Sequence, residues 1–242
     1  MDDYQLLDPT KHASVRIQNQ GSLLKLDRGM LAPAFLGEFR SLACEFPIVL
    51  TKDGETGQFL CAALLGLSPR HLSSVDVGGE WQDAYLPWSL KRQPFLIANQ
   101  ADQEGTITPM LSLDTGHPMV SQDSGELVFD SSGALTDVAE AKLAALRSIN
   151  DFAAKTAEFV DRLISLELLT GLKVQGQTAS GHDIVVDDIY GIDEEALAQL
   201  SESVLGELHR ANQLEPIFLM VASLGRISAF MRQINHQQAE SY

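Results

Sequence analysis

The chain is short of cysteine, of positive charge and of long apolar runs. Two cysteines in 242 residues, Cys44 and Cys61, are too few for a disulfide framework. Their neighbours are apolar, so both are expected as buried free thiols. Lysine and arginine number 17 against 33 aspartates and glutamates, a formal net charge of −16. No basic patch is visible, which argues against a phosphate-tracking nucleic-acid binder and against docking on anionic lipid. No apolar run reaches the roughly 18 residues of a membrane span. The first residues show no basic segment followed by an apolar one, so the expectation is a cytoplasmic protein without a Sec-type signal.

Catalytic signatures are also missing. The sequence holds no Gly-x-Gly-x-x-Gly, Walker loop, Gly-x-Ser-x-Gly or His-Glu-x-x-His. The six histidines (His12, His71, His117, His182, His209 and His236) are scattered and read as surface groups. None has helical metal-ligand spacing, and no His-x-Asp or His-x-Glu pair occurs. Residues 114–130 are rich in carboxylates but lack the register of an EF-hand, so they read as a solvated loop. Neither a metal nor a cofactor is expected.

What is present centres on residues 78–97, GGEWQDAYLPWSLKRQPFLI. This stretch holds both tryptophans, Trp81 and Trp88, with Tyr85 between them and the pair Lys91-Arg92 between Pro87 and Pro94. Trp and Tyr combine an apolar body with a polar handle, so each wants burial and a partner at once. The prolines rule out one continuous helix or a central strand. The stretch is expected to be an ordered seam across a core, with a ligand-facing edge as the sharper reading. Trp81, Tyr85, Trp88 and Arg92 are the candidate ligand- or partner-binding residues. Arg92 has the chemistry to stack on an aromatic face or hold a carboxylate, and equally to tie its loop to the domain.

Periodicity places strands first and helices later, the α+β pattern. A single domain over residues 1–242 is expected, β-rich over 14–130 with an antiparallel or mixed sheet and mainly helical over 134–236. Residues 1–13 read as polar and extended, and 14–26 as strand-like. Residues 31–44 carry helical spacing. Residues 45–50 and 59–67 read as a hairpin of strands buried on both faces. Residues 95–98 and 106–113 form a second pair around a turn at 102–105. Residues 134–170 contain neither glycine nor proline and read as one long amphipathic helix capped by Gly171. Its apolar face holds Leu143, Leu146, Ile149, Ala153, Phe159, Val160 and Leu163, with the charged residues largely opposite. A hairpin over 172–190 follows, then a helix capped by Asp193, then a last helix from Leu214 to a frayed tail at His236.

Several fragments in order resemble the SapC-like family of bacterial proteins. They are Glu45-Phe46-Pro47-Ile48-Val49, Leu64-Leu65-Gly66-Leu67, and Trp81, Tyr85, Pro87 and Pro94-Phe95 in the spacing W-x3-Y-x-P-x6-PF. In the last third they are Gly191-Ile192-Asp193, Leu208-His209-Arg210, Leu214-x-x-Ile217 and Ser223-Leu224. The chain departs from the family at residues 217–220, Ile-Phe-Leu-Met, where the pattern has a Tyr and a His. The resemblance implies an association with surface-layer gene clusters and brings no catalytic residue with it. Residues and resemblance together give a non-enzymatic accessory protein that binds a protein or small-molecule partner. Nucleic acid and membrane insertion are not expected, and self-association through the exposed face of the long helix is. Two alternatives stand beside this. One is a metal-dependent, oxygenase-like enzyme assembling its site from scattered groups such as His117, His182 or Asp114. The other is a structural role in surface-layer assembly.

Overall fold

The structure, a computed structural model, describes residues 4–18, 29–68, 71–74, 81–82, 85–101, 107–178, 181 and 183–239. Its elements in chain order are β1 (Tyr4–Leu6), β2 (Arg16–Ile17), β3 (Leu31–Pro33), α1 (Phe39–Glu45), β4 (Ile48–Lys52), β5 (Phe59–Leu64), β6 (Gly66–Ser68), β7 (His71–Leu72), α2 (Trp88–Lys91), β8 (Phe95–Ala101), β9 (Ile107–Asp114), β10 (Val120–Ser121) and β11 (Glu126–Leu127). Then come α3 (Asp137–Ser165), β12 (Leu169–Gln177), β13 (Asp183–Ile192), α4 (Glu194–Ala198), α5 (Glu202–Arg210), α6 (Leu214–Ser223) and α7 (Arg226–Ala239). Strand pairing is antiparallel in every described sheet, and the class is α+β.

Contacts divide the chain into two units. The first comprises Met1–Asp27, Asp76–Gln82 and Trp88–Asn150; the second comprises Arg28–Val75, Asp83–Pro87 and Asp151–Tyr242. In the first unit, β9 lies between β1 and β8, and β2 lies between β10 and β11. Phe95 of β8 and Leu113 of β9 face each other in register and are fully buried. The carboxylates of the acidic loop serve its turns. Asp130 Oδ1 accepts from the Ser132 hydroxyl at 2.7 Å, Ser132 N at 2.8 Å and Ala134 N at 3.0 Å, and these bonds, the hydroxyl's first, hold its carboxyl below the ordinary value.

The second unit is built on a five-stranded sheet in the order β12-β13-β4-β5-β3. The hairpin β4–β5 turns on Asp53, whose carboxylate accepts from the Thr56 N–H at 2.7 Å and the Thr56 hydroxyl at 2.8 Å. Ile48, Val49, Leu50, Ala63 and Leu64 are fully buried, but Leu60 is exposed and Phe59 half-buried, so two-sided burial holds for the first run and, in the second, only from Cys61 on. The late hairpin β12–β13 joins this sheet through Ile189↔Thr51 and Tyr190↔Leu50. Across that junction, Phe59 and Tyr190 pack edge to face at 4.8 Å.

Several expectations change. Residues 31–44 are not one helix. Leu31–Pro33 form an edge strand, and α1 begins only after a turn in which Glu38 accepts from Phe35 N at 3.2 Å. The long helix ends at Ser165, because Glu167 takes the left-handed conformation at φ 55°, and Gly171 lies inside β12. The helix capped by Asp193 is interrupted. Asp193 accepts from Ala196 N at 2.9 Å as expected, but Ser201 caps a second helix, α5. The last helix also divides, at residues 224–225, and α7 continues past His236 to Ala239. Leu214–Asn235, shared by α6 and α7, is long and apolar enough to cross a membrane by length and composition alone. A mostly buried core helix passes the same test; here α6 buries Pro216, Ile217, Met220 and Ser223, but only 28% of the apolar window is buried and Phe218 is exposed. Cys44 is exposed on α1, whereas Cys61 is buried. His12 is buried, not superficial. Of the strand-like residues 14–26, β2 is the strand among the described residues; 19–26, the turn residues 27, 28, 102–105, 179 and 180, Thr106 and His182 lie outside the described residues.

Candidate functional site

The aromatic stretch runs through both units. Tyr85 belongs to the second, where its hydroxyl donates to Glu38 Oε2 at 3.1 Å. Burial and the neighbouring carboxylate push the Tyr85 hydroxyl pKa up, so it remains a protonated donor. Glu38 is 1% exposed, so the pair fixes the stretch to a core carboxylate. Trp81, Trp88 and Arg92 belong to the first unit, and all three are half-buried. Trp88 opens α2, the single turn that delivers Lys91 and Arg92.

Arg92 closes its own loop. Its Nη1 donates to Phe95 O at 2.6 Å, and the Phe95 N–H donates back to Arg92 O at 2.9 Å. The peptide Gln93-Pro94 inside this loop is cis. Lys142, reaching from α3, donates from Nζ to Gln93 O at 2.9 Å. The N–H of Asp114 donates to Pro94 O at 3.1 Å, and the His117 N–H to Asp114 O at 3.2 Å. The proline-bounded loop therefore gathers Arg92, Lys142, Asp114 and His117.

Electrostatics reflect that clustering. Lys142 is 4% exposed, and burial, reinforced by the Lys91 ammonium, lowers its pKa to about 8. It still carries its proton at neutral pH. His117 is also lowered, chiefly by burial; Asp114 opposes this while Lys142 and Arg92 add to it. Its Nδ1 accepts from Met119 N at 3.1 Å, which assigns the neutral ring its proton on Nε2. Burial likewise lowers Arg92.

Beside this loop lies a solvent-open cavity of about 410 Å³ in the first unit. Ile17, Val138 and Ala141 supply apolar wall, and Lys91, Lys142 and Glu126 supply charge. Val138, Ala141 and Lys142 stand at i, i+3 and i+4 on α3, one face of the helix. Gly125 closes the opposite side at φ 102°, and a Cβ there would overlap the Ile17 carbonyl. A second cavity, of about 510 Å³, lies in the second unit between strand β5 and the later turns of α3. Its lining is mainly apolar, including Phe35, Phe59, Leu60 and Ile164, and Asp161 is its one carboxylate.

Sequence reasoning singled out Arg92 but missed Lys142, placing the charged residues of this helix on its outer face. The signal was the helical phase. At about 100° per residue, Lys142 projects between Ala145 and Leu146, both buried. Among the described residues, no three of His, Cys, Asp and Glu converge as metal ligands, and Asp114 and His117 are the members of the oxygenase-like set that meet.

The fragments shared with the resembled family serve as joints. Ile48 N donates to Ser223 Oγ at 2.8 Å, and Ser223 Oγ donates to Met220 O at 2.7 Å, joining the Phe-Pro-Ile-Val fragment to the Ser-Leu fragment. Arg226 Nε donates to Glu45 O at 3.3 Å beside them. Neither a curated protein nor a solved structure matches this chain. The SapC family pattern does match, over residues 7–230, and the chain belongs to the SapC family.

Proposed function

We propose that this protein is a non-enzymatic binding protein whose ligand sits in the first-unit cavity beside the proline-bounded aromatic stretch. One observation carries the reading: an open cavity of about 410 Å³ with the buried residue Lys142 in its wall. Cavities of about 300–1,000 Å³ with mostly apolar walls and a few fixed polar groups are the usual form of small-molecule sites. A buried lysine is costly to the fold unless it is paired, so its retention at a cavity wall supports a binding role. Trp88 and Arg92 then hold the loop that presents Lys91 to the cavity and the Gln93 carbonyl to Lys142, and Tyr85 anchors its own part of the stretch to Glu38.

Saturation-transfer NMR with a mixed set of small carboxylates, alcohols, amines and sugars tests this. Ala141→Trp, at an exposed lining position, is the control that fills the cavity. Ligands are expected to give signals with the native protein and lose them with the filled variant. Signals that are absent from both, or equal in both, refute the site.

A further inference from the structure

Two lysines, Lys91 and Lys142, and one glutamate, Glu126, are the charged residues lining this cavity, one net positive charge. The surrounding chain carries −16, so a local cationic excess is contrary to the rest of the molecule. Lys142 is fixed by a single carbonyl, Gln93 O, on one side, and an ammonium has three donors to direct. Ile17, Val138 and Ala141 give the wall its apolar part, and Gln18 is the one uncharged polar side chain in the lining. Arg92, Asp114 and His117 gather at the same loop, and none of the three is among the lining residues.

Resting on the binding reading above, we propose that the ligand is a small amphiphilic monoanion, with a compact anionic head group on an apolar body. A medium-chain carboxylate is its simplest form. Lys142 and Lys91 hold the head group, and the face of Ile17, Val138 and Ala141 holds the body. Lysine suits this role as a compact point charge that does not demand the planar, two-pronged geometry an arginine would impose. Bringing the anion against Lys142 supplies the buried ammonium with a counter-charge, so the ligand offsets part of the cost the empty fold carries. No bond is made or broken.

Titration calorimetry with octanoate, octanol and inorganic phosphate tests the class. Octanoate is expected to bind the native protein, with octanol weaker by about tenfold or more, the effect of one charge-assisted contact. Inorganic phosphate at the same concentration is expected to give no heat, because it has no body for the apolar wall. Lys91→Gln is expected to weaken octanoate by about tenfold while leaving octanol unchanged. Lys142→Met is expected to do the same; Lys91 is only half-buried, so its variant keeps the test open should Lys142→Met fail to fold. Ala141→Trp is expected to abolish both.

Equal binding of octanoate and octanol, with loss of both in Ala141→Trp, overturns the anion and leaves the binding site standing. Octanoate binding that survives Ala141→Trp overturns the location. Phosphate binding as tightly as octanoate overturns the amphiphile. A failure of all three probes overturns this inference, and the wider NMR set separately decides the binding reading.

Discussion

Ser223 is a single hydroxyl that satisfies two buried backbone groups. It accepts from Ile48 N and donates to Met220 O, and the side chain is 1% exposed. Ser223→Ala leaves the Ile48 N–H without an acceptor inside the second unit, a cost of about 1–3 kcal/mol. Urea denaturation should show the unfolding free energy fall by that amount, read as a lower midpoint at unchanged slope; an unchanged midpoint would mean that water reaches the site. Lys142 makes a different prediction, in pH. Its folded pKa lies near 8 and its ordinary value is 10.5, so between them the unfolded chain binds more protons than the folded one. Stability contributed at this residue therefore rises as pH increases through 8. Measured against Lys142→Met, the native protein should gain on the order of 1 kcal/mol between pH 7 and pH 9. A difference independent of pH would show that the amine is solvated. Both residues were partly legible in the sequence. Ser223 stands in a family fragment and Lys142 in the apolar phase of a helix, yet neither pattern says what the side chain touches, because the partners are 175 and 49 residues away.

At the scale of elements, the longer strands were readable, whereas the short edge strand β3 and the helix ends were not. Alternating or continuous apolar runs located β4, β5, β8, β9 and the hairpin β12–β13, since burial of a run depends on its own side chains. Helix ends depend on backbone conformations that several residue types adopt. The expected stop was Gly171. The actual one is a Schellman turn in which Leu168 N donates to Leu163 O at 3.0 Å and Glu167 N to Ile164 O at 3.0 Å. Leu163 and Leu168, the hydrophobic pair of that motif, are fully buried. The position that favours glycine is held by Glu167 at φ 55°. The same turn closes α5, where Gln213 N donates to Leu208 O at 2.8 Å and Asn212 takes φ 56°. Asparagine tolerates that conformation and marked the break in the sequence; glutamate does not, and the stop at 165 was read through. Glu167→Gly removes a left-handed strain of roughly 1–2 kcal/mol, less the added entropy of the unfolded glycine. A net gain of about 0.5 kcal/mol is expected, read as a small rise in melting temperature. Loss of stability would mean that the Glu167 side chain contributes more than its backbone costs.

At the scale of the whole molecule, the charge of −16 and the proposed anion site pull in opposite directions. The amphiphile approaches through a repulsive field generated by the entire surface, then meets a cavity with one net positive charge. Salt separates the two contributions. The Debye length falls from about 30 Å at 0.01 M to about 8 Å at 0.15 M, which removes the long-range repulsion from the approach. The proposed contact is with Lys142, which is buried, so it would be screened far less. Association with octanoate should therefore accelerate as salt is raised over this range, while dissociation changes little. An exposed lysine patch on a basic protein would show the reverse, with association slowing as attraction is screened. Relaxation-dispersion or line-shape NMR on the ligand gives both rates. An association rate that falls with salt would place the binding cations on the surface and remove Lys142 from the contact.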